Sequence, residues 1–155
     1  MNYPKYDVLT STDAKEYEFT STGKNGNINK AVIFDVTMQA DIYNLCFGNL
    51  IYDDASKTYI IDDEKVDNNG DIREILATVA LTAYHFSSTH PHLKIFIAGS
   101  DKRRTNTYKR AIKLNYEELS KTFDIFGALV DDDNLITNVP FDYKKDFDGF
   151  LFKRK

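Results

Sequence analysis

The chain contains little cysteine, glycine or proline: its 155 residues include 1 Cys, 7 Gly and 3 Pro. The single Cys46 cannot form a disulfide within the chain, and so little glycine and proline excludes a collagen-like or low-complexity sequence. Apolar runs are far shorter than the roughly 20 residues that cross a bilayer. The N-terminal segment MNYPKYDVLT lacks the charged and apolar regions of a secretory signal. We therefore expect a cytoplasmic protein with no membrane contact.

Neither sign of charge dominates, since 20 basic and 24 acidic residues give a net charge of −4. This balance excludes a protein coated in positive charge but is compatible with a local basic region. Residues 94–113 contain seven basic residues and one acidic residue, whereas residues 53–71 contain seven acidic residues and two lysines. A basic region raises the local anion concentration and speeds encounter with nucleic acid. The alternative is a solvated helix face that has no partner.

Hydrophobic periodicity predicts strands first and helices later. Alternating or β-branched stretches predict four strands, at 16–22, 30–37, 43–52 and 57–61. The pair Asn25-Gly26 predicts the turn of a hairpin between the first two. After Gly70, apolar residues spaced by three and four predict a helix that stops before Pro91. The predicted inner face of that helix consists of Ile72, Ile75, Leu76, Val79, Ala80, Ala83 and Phe86.

The second half of the chain alternates between types of element. The sequence predicts a strand at 94–98, a helix at about 102–123, and strands at 124–130 and 147–153. The predicted fold class is α+β: an antiparallel four-stranded meander followed by α-β-α-β-β, with the helices packed on the sheet. We expect one domain that covers residues 1–155.

The junction between the predicted strand at 94–98 and the helix that follows is the candidate ligand-binding site. The first backbone N–H groups of a helix have no partner within it and attract anions. Hydroxyl groups and arginines near such an end can bind phosphate. An aromatic ring one helical turn from an arginine can stack a nucleobase. The candidate ligand-binding residues are Gly99, Ser100, Arg103, Arg104, Thr105 and Tyr108.

A purely structural interpretation of this junction is equally open. Ser100 or Asp101 can be an ordinary N-cap, the arginines can pair with surface acids, and Tyr108 can lie in the core. The segment matches neither the phosphate loop of nucleotide hydrolases nor the glycine-rich dinucleotide fingerprint, because it contains one glycine. The sequence therefore indicates no cofactor.

Other chemistry is weakly indicated. The pair His90 and His92 has no cysteine or acidic ligand at zinc spacing, so we expect no metal. His85 could act as a general base, although a lone histidine on a helix is more often structural. No catalytic residue is identified.

Several segments resemble an uncharacterised bacterial family that is classed only as a domain of unknown function. These are the opening MNYPKYD, the hairpin with Phe19, Ser21, Gly23, Gly26 and Lys30, Asn44 to Gly48, Asn68 to Asp71 with Ala77 to Ala80, Gly99-Ser100 with Arg104-Thr105 and Tyr108, and Phe150 to Arg154. The resemblance covers nearly the whole chain and implies no established active site. It implies a small residue at position 103, which makes Arg104 the stronger candidate of the two arginines.

Three functions follow as hypotheses. The first is a small protein that binds a phosphate-bearing ligand, a nucleotide or nucleic acid, at the basic helix N-terminus. The second is the protein-interaction member of a bacterial toxin–antitoxin or defence pair, in which the acidic segment Asp53 to Asp71 binds a small basic partner protein. The third is an enzyme acting on a nucleotide or RNA, with Arg104 stabilising phosphate charge and His85 or Tyr108 in proton transfer.

Overall fold

The computed structural model describes residues 3–63 and 68–155. Within these ranges the chain forms nine strands and three helices. The strands are β1 (Leu9–Thr10), β2 (Glu16–Gly23), β3 (Gly26–Val36), β4 (Ile42–Asp53), β5 (Thr58–Asp62), β6 (Lys94–Ile97), β7 (Phe123–Val130), β8 (Ile136–Pro140) and β9 (Gly149–Arg154). The helices are α1 (Ile72–Thr89), α2 (Lys102–Leu114) and α3 (Tyr116–Ser120).

The described residues divide into two compact units. The hairpin unit comprises residues 3–34 and Cys46–Phe86, and the basic-helix unit comprises Asp35–Leu45 and Ser87–Lys155. The expectation of a single domain stays a prediction.

A long hairpin forms the centre of the hairpin unit. Strands β2 and β3 pair antiparallel from Glu16↔Ile33 to Gly23↔Gly26, which confirms the predicted turn. Gly26 has a φ of +89°, a conformation that glycine adopts without steric cost. One face of β2 is buried. The short β1 pairs with β2, and β5 pairs with the second part of β4, both antiparallel.

Helix α1 confirms the helix predicted between Gly70 and Pro91. Its buried side chains include Ile75, Val79 and Phe86, and the Phe86 ring stacks on Phe34 of β3 with centroids 4.1 Å apart. Ile72, which the periodicity places on the inner face, is 52% exposed. It is the first residue of the helix, and its neighbour Asp71 is buried instead.

A buried polar network joins the hairpin to the segment before α1. The Oδ2 atom of Asp71 accepts hydrogen bonds from the hydroxyl groups of Ser21, at 2.5 Å, and Tyr6, at 2.6 Å. The side-chain amide of Asn69 donates to Ser21 Oγ and to the Gly26 carbonyl. A Cβ atom at Gly23 would lie 1.9 Å from the Asn69 carbonyl oxygen. Only glycine therefore fits at this crossing.

A second buried contact links β2 to α1. The Tyr17 hydroxyl lies 2.8 Å from the Ala14 carbonyl oxygen and 2.8 Å from His85 Nδ1. Because a carbonyl can only accept, the hydroxyl donates to Ala14 and His85 Nδ1–H donates to the hydroxyl. Burial, with a smaller contribution from the Asp13 charge, raises the pKa of Tyr17 well above its usual range.

The basic-helix unit contains a mixed arrangement of strands. The first residues of β4 pair parallel with β6, from Ile42↔Lys94 to Asn44↔Phe96. Strand β9 lies between β6 and β7 and pairs antiparallel with both, and β7 pairs antiparallel with β8. The side chains of Ile42, Ala128 and Leu151 form a buried cluster here. Helix α3 contacts both α2 and β7.

The outer edge of β8 is closed by a side chain. Gln39 Oε1 accepts a hydrogen bond from the Ile136 amide at 2.8 Å, and Gln39 Nε2 donates to the Ile136 carbonyl at 3.1 Å. These two bonds imitate a neighbouring strand. At the far end of β8, Pro140 has no N–H to donate. Both features prevent another strand from adding to this edge.

The predicted fold class is wrong. The described residues form nine strands of a mixed sheet in the order β1-β2-β3-β4-β6-β9-β7-β8, with β5 on β4 alone, instead of a four-stranded antiparallel meander covered by helices. The parallel β4–β6 pairing places β4 inside the sheet, which is incompatible with a simple meander. Strands β1 and β8 were not predicted. The helix expected at 102–123 is two helices, because α2 ends at Leu114.

We expect Phe86→Ala to lower the free energy of unfolding by about 3–5 kcal/mol, because it removes a buried ring and leaves a cavity. Urea denaturation followed by circular dichroism measures this value. Ile72→Ala, in the same helix but at an exposed position, is the matched control and should change the value by less than about 0.5 kcal/mol. Equal effects of the two substitutions would contradict the packing described.

The stability of the protein should depend on Tyr17 at high pH. The pKa of Tyr17 is raised in the folded state above about 10 in the unfolded state, so its contribution is complete below pH 10 and is lost as the pH rises. Between pH 9 and pH 11 the wild type should lose about 1.4 kcal/mol more than Tyr17→Phe. Denaturant unfolding of both proteins across this range tests it, and identical pH profiles would count against the burial of the hydroxyl.

Candidate nucleic-acid interface

The junction between β6 and α2 is tightly packed. A Cβ atom at Gly99 would lie 2.5 Å from the Arg104 Cβ and 2.5 Å from the Thr105 amide nitrogen. Glycine is therefore required where the strand end meets the first turn of the helix. The buried Thr105 hydroxyl accepts a hydrogen bond from the Gly99 amide at 3.0 Å and donates to the Asp101 carbonyl at 3.1 Å. The chain itself uses both functions of this hydroxyl.

Asp101 is the N-cap of α2. Its backbone is extended, with φ −145° and ψ 173°, and its Oδ1 accepts a hydrogen bond from the Arg104 amide at 2.8 Å. A carboxylate at this position also interacts favourably with the positive end of the helix dipole. The Arg104 amide, one of the groups expected to receive an anion, is thus bonded to a side chain of the protein.

The remaining predicted residues surround this cap. Ser100 and Arg103 are exposed, whereas Arg104 and Tyr108 are half-buried and both make other contacts within the chain. The structure brings Gly99, Arg104 and Thr105 into direct contact. Ligand binding by the predicted residues stays a prediction. Two of the groups expected to bind the ligand, the Thr105 hydroxyl and the Arg104 amide, are already hydrogen-bonded within the protein.

The outer face of α2 carries a row of cations. We call Arg103, Asn106, Arg110 and Lys113 the basic stripe. These positions are separated by three, four and three residues, so they lie on one face of the helix. The three cations are exposed, and α2 contains no acidic residue. At 1.5 Å per residue the stripe is about 15 Å long.

The cations of the stripe differ from two others in the same helix. Lys102 and Lys109 share the carboxylate of Asp146, at 3.6 Å and 3.5 Å, and Lys109 Nζ also donates to the Lys145 carbonyl at 2.9 Å. In the part of the chain that the structure describes, no carboxylate forms an ion pair with the cations of the stripe. The stripe therefore retains its full positive charge toward solvent. In the sequence, the stripe is indicated by the helical spacing of Arg103, Arg110 and Lys113. A count of charges in the whole segment does not reveal this spacing.

An exposed aromatic ring borders the stripe. Tyr143 is 37% exposed, and Lys113 Nζ lies 4.0 Å from its ring centroid. Lys109 Nζ lies 5.5 Å from the same centroid. Exposed aromatic rings beside cations are typical of surfaces that stack nucleobases. Tyr143 carries no signal of this role in the sequence, because 30 residues separate it from Lys113.

His85, the residue considered as a general base, lies in the hairpin unit. Its Nδ1 is hydrogen-bonded to the buried Tyr17 hydroxyl. A catalytic role for it stays a prediction. Within residues 3–63 and 68–155, no group of three or more His, Cys, Asp or Glu side chains is arranged to hold a metal ion. No helix in the same ranges is long and apolar enough to cross a membrane.

Residues 2–155 match the sequence model of DUF6934, which is described as a family of unknown function. The chain belongs to DUF6934. This confirms the membership expected from the resemblance in sequence. No curated protein and no solved structure matches the chain. Of the segments that carried the resemblance, Ser21, Gly23, Asn69 and Asp71 meet in the buried network of the hairpin unit. Residues 1 and 2 of the opening segment lie outside the described residues.

We expect Asp101→Ala to lower the free energy of unfolding by about 0.5–2 kcal/mol, because the Arg104 amide loses its acceptor. Asp101→Asn is the matched variant: its side chain can still cap, so the loss should be only a few tenths of a kcal/mol. Thermal and urea unfolding of both variants tests the cap. Equal destabilisation by Asp101→Asn and Asp101→Ala would show that the negative charge of Asp101 stabilises the helix and that its capping hydrogen bond does not.

Proposed function

We propose that this protein binds nucleic acid through phosphate groups, and that the basic stripe of α2 is the contact surface. The observation that supports the proposal is the row of three exposed cations on one helix face, with no neutralising carboxylate among the described residues. Phosphate contacts supply a large part of the affinity of proteins for nucleic acid, and exposed lysine and arginine side chains make many of them. We place the protein in the bacterial cytoplasm as part of this proposal.

The dimensions of the stripe favour a polymer over a single phosphate. Arg103 and Arg110 are about 10 Å apart along the helix axis, and Arg110 and Lys113 about 4.5 Å. Successive nucleotides of one strand are spaced by about 3.4 Å. The three cations can therefore contact phosphates of different nucleotides, and the two arginines can bind them with paired N–H groups.

The candidate residues at the start of α2 form the end of the same proposed surface. Ser100 and Arg103 are exposed there, so a strand that follows the stripe would pass them. Arg104 and Tyr108 are half-buried and contribute less contact area. Tyr143 takes the stacking role that the sequence predicts for Tyr108.

Removal of the stripe should weaken binding and its dependence on salt. The triple variant Arg103→Ala, Arg110→Ala, Lys113→Ala should bind at least about tenfold more weakly at low salt. The slope of log K against log salt should fall by about 0.9 for each duplex phosphate that the variant no longer neutralises, or about 0.7 for single strands. Fluorescence anisotropy with labelled DNA and RNA of about 20 nucleotides, single-stranded and duplex, measures both quantities.

The control for charge is Lys5→Ala, Lys24→Ala, Lys121→Ala, which removes three exposed lysines elsewhere and produces the same net charge. It should change the affinity by less than about twofold, because it leaves the three cations of the proposed contact surface in place. Equal loss in the two triple variants, or no binding by the wild type, would refute the proposal. Arg104→Ala, measured alongside Arg110→Ala, shows which of the two arginines contributes more.

A further inference from the structure

Strand β5 is an edge strand with an open side. It pairs with β4 from Asn49↔Asp62 to Asp53↔Thr58 and, in the two described ranges, with no other strand. Its residues Thr58, Tyr59 and Ile60 are exposed. An open strand edge presents unpaired N–H and C=O groups in the arrangement that another extended chain can bind.

The hairpin of β4 and β5 carries apolar side chains in contact with solvent. Ile51 and Ile60 are 40% and 42% exposed, and Tyr52 and Tyr59 are 52% and 64% exposed. The register pairs Ile51 with Ile60 and Tyr52 with Tyr59. Successive residues of a strand point to opposite faces, so one apolar pair lies on each face of the hairpin. The tyrosine rings contact each other edge to face, with centroids 5.4 Å apart.

The open side of β5 contrasts with the closed edge of β8. Strand β8 has Gln39 bonded to Ile136 and ends in Pro140, whereas β5 has the sequence TYIID without proline or lysine. Proteins ordinarily protect an edge with such residues, and an unprotected apolar edge marks an interaction site. The difference between the two strands points to a binding role for β5.

Charge around the hairpin selects the partner. Asp53 and Asp54 lie at the turn and Asp62 and Asp63 at the other end, against the single Lys57. Asp62 and Asp63 make contacts within the chain but still add negative charge. This field attracts a basic segment and repels nucleic acid. Of the acidic segment from Asp53 to Asp71 predicted to bind a basic partner, residues 64–67 lie outside the described residues.

We propose that β5 binds an extended segment of a partner protein that adds to the open edge as a further strand. Main-chain hydrogen bonds provide the affinity, and alternate apolar side chains of the partner, which share one face of its strand, contact either the isoleucine pair or the tyrosine pair. Lysine or arginine residues of the partner face the four aspartates. A second copy of this chain fits less well, because it would bring two acidic hairpins together. The proposal is independent of the basic stripe.

A synthetic peptide tests the proposal with the full chain. The probe is a labelled peptide of about eight residues, a common strand length, in which lysine alternates with valine. Fluorescence anisotropy should show saturable binding. The same peptide with glutamate for lysine should not bind, and N-methylation of all its backbone amides should abolish binding, because it removes the N–H donors from both edges of the peptide. Failure of the lysine peptide to bind, or equal binding of the three peptides, would overturn the proposal.

Matched variants locate the site. Ile60→Lys places a positive charge on the edge and should weaken binding of the lysine peptide by roughly tenfold, or about 1.4 kcal/mol. Ile72→Lys makes the same change at an exposed position of α1 and should leave binding within about twofold, since a separated exposed charge is screened. Circular dichroism shows whether each variant folds. Equal binding by both variants refutes the site, and concentration-dependent dimerisation that Ile60→Lys abolishes would identify a second copy as the occupant instead.

Discussion

Burying the side chain of Asp71 requires hydroxyl donors from elsewhere in the chain, because a carboxylate removed from water without hydrogen bonds is strongly destabilising. Ser21 in β2 and Tyr6 in the N-terminal segment provide them. Ser21 is held in turn by the amide of Asn69. The backbone at Asn69 approaches β2 so closely that position 23 has no room for a side chain. One buried acid thus explains the residue types at several separated positions of the hairpin unit.

Helix α2 contains many positive charges, and only some of them lie close to carboxylates. A helix rich in lysine and arginine gains from negative charge at its first turn, and Asp101 supplies it. Asp146 forms ion pairs with the two lysines on one side, Lys102 and Lys109. What remains uncompensated is the outer face, where three cations share one stripe. The proposed binding surface is therefore the part of α2 whose cations form no ion pair with a carboxylate among the described residues.

Local signals in the sequence were sufficient for the β2–β3 hairpin and for α1. Asn25-Gly26 favours a tight turn, and the spacing of Ile75, Val79 and Phe86 has the period of a helix. The end of α2 was missed, since it depends on Asn115, whose side chain donates to the Ala111 carbonyl. Strand β8 was missed because it has only five residues, ITNVP, and ends in proline, which is typical of a loop or an edge strand.

Features that join residues far apart in the sequence could not be predicted from local sequence patterns. The parallel pairing of β4 with β6 joins residues about 50 positions apart, and no periodicity encodes it. The predicted ligand residues were chosen for the free amides of a helix N-terminus. Sequence alone could not decide whether Asp101 would turn its carboxylate toward those amides or toward solvent. The basic residues themselves were recognised, but their division into a paired and an unpaired side depends on where Asp146 lies.

The capping of α2 by its own aspartate has a consequence for how a bound polymer would behave. Backbone amides hold a phosphate at one defined point and so set the position of a nucleic acid on a protein. With the Arg104 amide occupied, the proposed attachment through the stripe would depend on long arginine and lysine side chains, which accept any phosphate along a strand. A nucleic acid held in this way would be able to slide past the stripe one nucleotide at a time without detaching.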